Sequence, residues 1–103
     1  MKKLQQGDVI IRNIKQIPEG AKRVSKTIRG FVLAEGEATG HAHVIQDDIE
    51  MYEKDGVLFI KVEKPVTVEH EEHKPIRLEI GNYEIGFVRE YNYFNEEIRR
   101  IRD

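Results

Sequence analysis

Ile49–Val62 reads IEMYEKDGVLFIKV, and this stretch decides the fold class. Its two halves, Ile49–Glu53 and Val57–Val62, are runs rich in β-branched and aromatic residues, separated by Lys54-Asp55-Gly56. An Asp-Gly pair between two such runs specifies a tight hairpin, because it tolerates the positive φ angles that two-residue hairpin turns need.

The segments on either side read the same way. Gly7–Ile14, GDVIIRNI, is a β-branched run, and Pro18-Glu19-Gly20 is a turn. Arg23–Ile28 and Phe31–Ala34 form two strands separated by Arg29-Gly30, and His41–Ile45 follows. Past the hairpin, Lys64-Pro65 interrupts pairing, since proline cannot donate to a ladder. Val66–His70 and Ile76–Ile80 then flank the HEEHKP segment, and Gly81-Asn82 turns the chain into Tyr83–Tyr91. Short strands at this spacing predict an all-β domain, a small barrel or sandwich of about eight antiparallel strands. Only residues 94–103 read as a helix. Asn95 is an N-cap, Glu96 and Glu97 suit the positive helix start, and Arg99, Arg100 and Arg102 suit its end. The 103 residues fit one domain spanning 1–103.

Composition narrows the chemistry. The absence of cysteine removes disulfides, thiolate metal sites and cysteine nucleophiles together. The N-terminus MKKLQQGDVIIRN carries no apolar run of signal-peptide length, and no stretch approaches a membrane span. A soluble, cytoplasmic protein without membrane association is the expectation. Charge is unevenly placed. Residues 1–30 carry eight basic side chains against two acidic ones, whereas residues 31–88 carry five against thirteen. A basic N-terminal third could attract phosphate, or could simply keep edge strands soluble.

All four histidines fall in two short clusters, GHAH at 40–43 and HEEH at 70–73. Side chains two apart on a strand share a face. His41 and His43 therefore share a face with Ile45, and His70 shares one with Val66 and Val68. If those apolar residues point inward, the three imidazoles extend the core side of their strands toward an open end. The two clusters, 26 residues apart between His43 and His70, are then expected to meet. Strict alternation puts His73 on the other face, unless Lys74-Pro75 bends the chain and swings it back. On the last strand Tyr83, Ile85 and Phe87 share a face that Arg89 and Tyr91 continue. A charged Arg89 there calls for a carboxylate such as Glu72 or Glu37, or for a substrate phosphate or carboxylate.

The motif order E-x-T-G-H-x-H over Glu37–His43, HEEH-x-P-I over His70–Ile76, G-x-Y over Gly81–Tyr83 and R-E-Y over Arg89–Tyr91 resembles a group of short uncharacterised bacterial and phage-associated proteins. The resemblance implies that these pieces belong together and brings no activity with it. The H-x-H pair is also similar to that of the cupins, β-barrels with a histidine metal motif. That similarity implies His41, His43 and either His70 or His73 as ligands. The second cupin motif, P-x-G before a histidine, is absent.

Three functional readings stand. In the first, His41, His43, His70 and His73 bind a transition metal (Zn²⁺, Fe²⁺, Mn²⁺ or Ni²⁺), and the site is hydrolytic or oxidative. In the second, no metal is bound. Histidines act as general acid and base on RNA, Lys74 or Arg89 stabilises developing negative charge, and Tyr91 offers a stacking surface. In the third, the same pocket is a non-catalytic module for a small anionic ligand or nucleic acid. A homo-oligomer enters all three only if a second chain's cluster completes the site.

Overall fold

The computed structural model describes residues 3–36 and 40–88 of the chain. Every regular element among them is a strand: β1 (Lys3–Gln6), β2 (Val9–Ile14), β3 (Lys22–Val24), β4 (Phe31–Glu35), β5 (Ala42–Ile45), β6 (Glu50–Lys54), β7 (Val57–Val62), β8 (Val66–Glu69), β9 (Ile76–Leu78) and β10 (Gly81–Phe87). They form two open antiparallel sheets. One has the order β1-β2-β10-β7-β6-β3 and the other β4-β5-β8-β9. The sheets do not close into a barrel, and the strands number ten rather than about eight. The helix expected over 94–103 lies outside the described residues, as does the end of the strand expected to run to Tyr91.

The β6–β7 hairpin forms as its sequence dictates. Lys54 faces Val57 across the turn, and Asp55 and Gly56 have φ of 51° and 81°. Two successive positive φ angles are the signature of a type I′ turn, whose twist matches that of the flanking strands. The Glu53 carboxylate accepts a 2.7 Å hydrogen bond from the Gly56 N–H and ties the turn to β6.

A second tight hairpin begins before the run Gly7–Ile14 expected to be one strand. Gln6 pairs with Val9, so Gly7-Asp8 is a two-residue loop and the preceding KLQQ, Lys3–Gln6, is strand β1. The polar residues of β1 hide it from a reading based on apolar runs. Its inward face is nonetheless Leu4 and Gln6, two residues apart.

Both sheets contribute to one core. Val9, Ile11, Met51, Ile60, Val62, Tyr83 and Ile85 come from the larger sheet. Phe31, Leu33, Ile45, Val66, Val68 and Leu78 come from the smaller. At roughly 1.5–3 kcal/mol for each fully buried aliphatic side chain, this is the main force holding the sheets together. Buried Tyr83 satisfies its hydroxyl by donating to the Glu79 carbonyl at 2.7 Å.

Gly56→Ala should destabilise the domain by about 1–2 kcal/mol, the strain of a Cβ in left-handed backbone. No neighbouring atom lies within 4 Å of the added carbon, so urea unfolding would read strain alone. An unchanged urea midpoint would contradict the turn assignment.

Candidate functional site

The two histidine clusters converge at one end of the two sheets. GHAH leads into β5, the strand between β4 and β8, and all four residues of β5 are buried. His43 and Ile45 face the interior, with Ile45 in the core and His43 at its margin. HEEH leaves the end of β8 in an exposed turn that returns as β9. Because β5 and β8 pair directly, with Val44 opposite Glu69, the ends that carry the clusters are adjacent.

The imidazoles form a contiguous group. Ring centroids lie 4.3 Å apart for His43 and His70, 5.7 Å for His41 and His70, 4.5 Å for His70 and His73, and 6.1 Å for His43 and His73. His73 therefore joins the cluster rather than facing away, because the 70–75 turn departs from strand alternation. Its ring lies over the β1–β2 turn, where a Cβ on Gly7 would stand 2.6 Å from His73 Nε2.

His43 is one of two buried polar residues in the described core, 5% exposed, and the other is Gln6 at 3%. They are partners. The Gln6 amide nitrogen donates to the Val68 carbonyl at 3.0 Å and to the Lys74 carbonyl at 2.8 Å, while its oxygen lies 2.8 Å from His43 Nδ1. Both amide hydrogens are thereby used, so the oxygen must accept and His43 Nδ1 must carry the proton. The neutral ring then keeps its lone pair on Nε2. His70 has the opposite arrangement. The Glu72 N–H donates to His70 Nδ1 at 3.0 Å, which leaves the proton of the neutral ring on Nε2.

Carboxylates surround the rings. Glu71 accepts from the Ala42 N–H at 3.0 Å, and this bond is the main reason its carboxyl titrates below the usual range. Glu72 stands 3.7 Å from His41 Nδ1. Arg29 donates to Glu35 at 3.1 Å and to the Gly40 carbonyl at 3.0 Å, and reaches to 3.8 Å from Glu71. The ligand atoms of His41, His70 and Glu71 lie within 4.8 Å of one another, a set of donors that could hold a metal ion. The cleft beside them is about 300 Å³, and its lining includes all four histidines with Asp8, Glu35, Glu72 and Phe87.

Asp8, Glu35, Glu71 and Gln6 are site residues that the sequence reading missed. Gly7-Asp8 is the signal that could have found two of them, because a two-residue glycine turn places Gln6 and Asp8 at a strand end. Phe87 continues the strand of buried Tyr83 and Ile85 to the cleft, where it is 47% exposed rather than part of the core. Lys74 is exposed and contributes its backbone carbonyl to Gln6. Arg89, Tyr91 and Glu37 lie outside the described residues. The basic N-terminal third is divided rather than pooled, since β1 and β2 occupy one edge of the larger sheet and β3 the other. Several of its cations also have local partners: Arg12 pairs with Glu84, and Arg23 stacks over the Tyr52 ring at 5.6 Å.

A family model for a domain of unknown function, DUF8820, matches residues 5–87. The chain belongs to this family. The match spans both histidine clusters, the Gln6 turn and all of β2 to β10, so the site and the sheets that carry it lie within the family's shared unit. No curated protein and no solved structure matches the chain. No helix among the described residues is long and apolar enough to cross a membrane.

Burial is the largest cause holding His43 below the ordinary histidine range, and the neighbouring His70 adds to it; Asp8 acts in the opposite sense. In the unfolded chain the same ring protonates near pH 6.5. As pH falls below that value the unfolded state takes up a proton that the folded state still refuses, so stability falls. The contribution is fully present above about pH 6.5 and is lost as pH drops through the lower folded value. Denaturant unfolding at pH 7.5 and at successive steps below 6.5 should show this slope well before the carboxylates titrate. His43→Gln should flatten it, and a variant as pH-dependent as the parent would refute the assignment.

Proposed function

We propose that the two histidine clusters form a binding site for a divalent transition-metal ion. The observation that carries this reading is the convergence of donor atoms from His41, His70 and Glu71 within 4.8 Å of one another. Two imidazoles and a carboxylate suit zinc, iron, manganese or nickel, and the cysteine-free sequence offers no competing thiolate. The remaining histidines, His43 and His73, border the same cleft as His41 and His70. An ion held this way supplies Lewis acidity, lowering the pKa of bound water and polarising a substrate oxygen, which supports hydrolytic chemistry.

Charge favours a cation over a phosphate as occupant. Asp8, Glu35 and Glu72 line the cleft; Arg29 is outside that lining, paired with Glu35 and 3.8 Å from Glu71, so the carboxylates outnumber the one nearby cation. A phosphodiester entering there would meet carboxylates, whereas a divalent ion would be attracted by them. The RNA-cleaving and anion-binding readings lack this support.

Binding at His70 carries a cost that can be measured. Coordination through Nε2 requires the proton to move to Nδ1, where it would oppose the Glu72 N–H that now donates there. Coordination through Nδ1 would likewise displace that N–H, so on either nitrogen the exposed 71–73 turn would adjust.

Protein made without a histidine tag and stripped with EDTA should bind one equivalent of Zn²⁺, Mn²⁺, Fe²⁺ or Ni²⁺ at micromolar concentration or tighter by calorimetry. His41→Ala and His70→Ala should abolish that binding while their far-UV circular dichroism stays native. The Glu72 amide should be among the resonances most displaced by the ion. Folded wild-type protein that binds none of these metals saturably would reject the proposal.

A further inference from the structure

We infer that His43 is a further ligand of this metal site, aimed by Gln6, and that Gln6 is therefore a positioning residue of the site. The inference rests on the metal-binding reading and adds a residue outside the three whose donor atoms already converge.

The argument begins with the cost of burying Gln6 and His43. A buried amide or imidazole is destabilising unless its polar atoms are satisfied. Gln6 is satisfied completely, with two donated hydrogens and one acceptor used. His43 is satisfied only at Nδ1 by this pairing, and the network fixes the tautomer that leaves Nε2 with its lone pair.

That tautomer is the one a metal ligand needs. Ligating histidines generally donate their other ring N–H to an outer partner, which fixes the ring's orientation and raises its basicity. Gln6 is such a partner, held by two independent carbonyls. Position agrees as well. His43 borders the same cleft as His41 and His70. With metal–nitrogen bonds of roughly 2.0–2.1 Å, two imidazoles at right angles on one ion have centroids about 4.5 Å apart. The His43 and His70 ring centroids are 4.3 Å apart, close to that spacing, so the two rings are near enough to share one ion once their nitrogens turn toward it. The two rings differ in preparation. His43 already presents a lone pair at Nε2, while His70 would have to release the Glu72 amide and, to ligate through Nε2, move its proton as well.

Long-range ¹H–¹⁵N correlation spectra of the histidine side chains in the whole, EDTA-stripped protein test this directly, with Zn²⁺ as the probe. Before zinc, His43 should appear as the Nδ1–H tautomer and His70 as the Nε2–H tautomer. On zinc addition His43 Nε2 should take the shift of a coordinated nitrogen while Nδ1 keeps its proton. If His41 and His70 respond and His43 does not, the inference fails and the metal-binding reading survives. If no histidine responds, the reading itself fails. Finding His43 as the Nε2–H tautomer before zinc would overturn the role assigned to Gln6. As a second measurement, Gln6→Leu, where it folds, should bind Zn²⁺ about 10–100-fold more weakly, as losses of outer partners do. An unchanged affinity in folded Gln6→Leu would remove Gln6 from the site.

Discussion

A single buried amide joins the two sheets at the end of the domain that carries the histidines. Gln6 stands at the end of β1 in the larger sheet, and each of its three polar contacts lies elsewhere: the Val68 carbonyl on β8, the Lys74 carbonyl before β9, and His43 on β5. The aliphatic core is non-directional and would accept small sliding of one sheet on the other. Three hydrogen bonds from one planar group do not accept it, because each broken bond leaves a buried polar atom unpaired, at a cost of about 1–3 kcal/mol. The relative placement of β5, β8 and the HEEH turn, and so the histidine cluster, depends on this constraint. The Gly7-Asp8 turn belongs to the same arrangement, since it brings Gln6 to the strand end and leaves room over Gly7 for the His73 ring.

Much of the fold was legible in the sequence, for identifiable reasons. The Ile49–Val62 hairpin is encoded twice, in two β-rich runs and in an Asp-Gly turn, and both signals agree. The inward direction of His43 followed from Ile45, and that of His70 from Val66 and Val68, because strand periodicity transmits the orientation of core residues to polar neighbours. What could not be read was carried by polar residues or by irregular backbone. Strand β1 contributes little apolar area, so no run announces it. Closed barrel and open sheets share the same local alternation, and the difference lies in which distant edges pair. His73 was displaced from simple alternation by a turn whose path depends on Lys74-Pro75 and on the Gln6 contact to the Lys74 carbonyl.

The candidate site was legible by residue type and not by electrostatics. Histidines confined to two clusters stand out in a sequence, but carboxylates do not in a chain with 19 of them. Only the fold shows that Asp8, from the β1–β2 turn, and Glu35, from the end of β4, border the same cleft as the imidazoles. The same fold divides the N-terminal lysines and arginines between opposite sheet edges. A charge asymmetry along the sequence therefore becomes a different asymmetry in space. A count over the first 30 residues suggests phosphate as a partner, while the lining of the cleft suggests a cation.

The two walls of the cluster differ in a way that bears on how it works. The GHAH wall runs into a buried central strand, and its histidine at position 43 is fixed in orientation and tautomer by a buried partner. The HEEH wall is an exposed turn, in which Glu71, Glu72 and His73 are all solvent-facing and His70 takes its tautomer from a local backbone N–H. A site built from one fixed wall and one exposed wall can adjust to an ion without disturbing the core, because the adjustment falls on residues that bury little area. The expensive element, a neutral histidine held away from water, is placed where the fold is most constrained. On the proposed metal-binding reading, the element that would rearrange is placed where rearrangement costs least. Such a division of labour suits a site whose occupant enters after folding, and a domain whose aliphatic core forms from both sheets without requiring an ion.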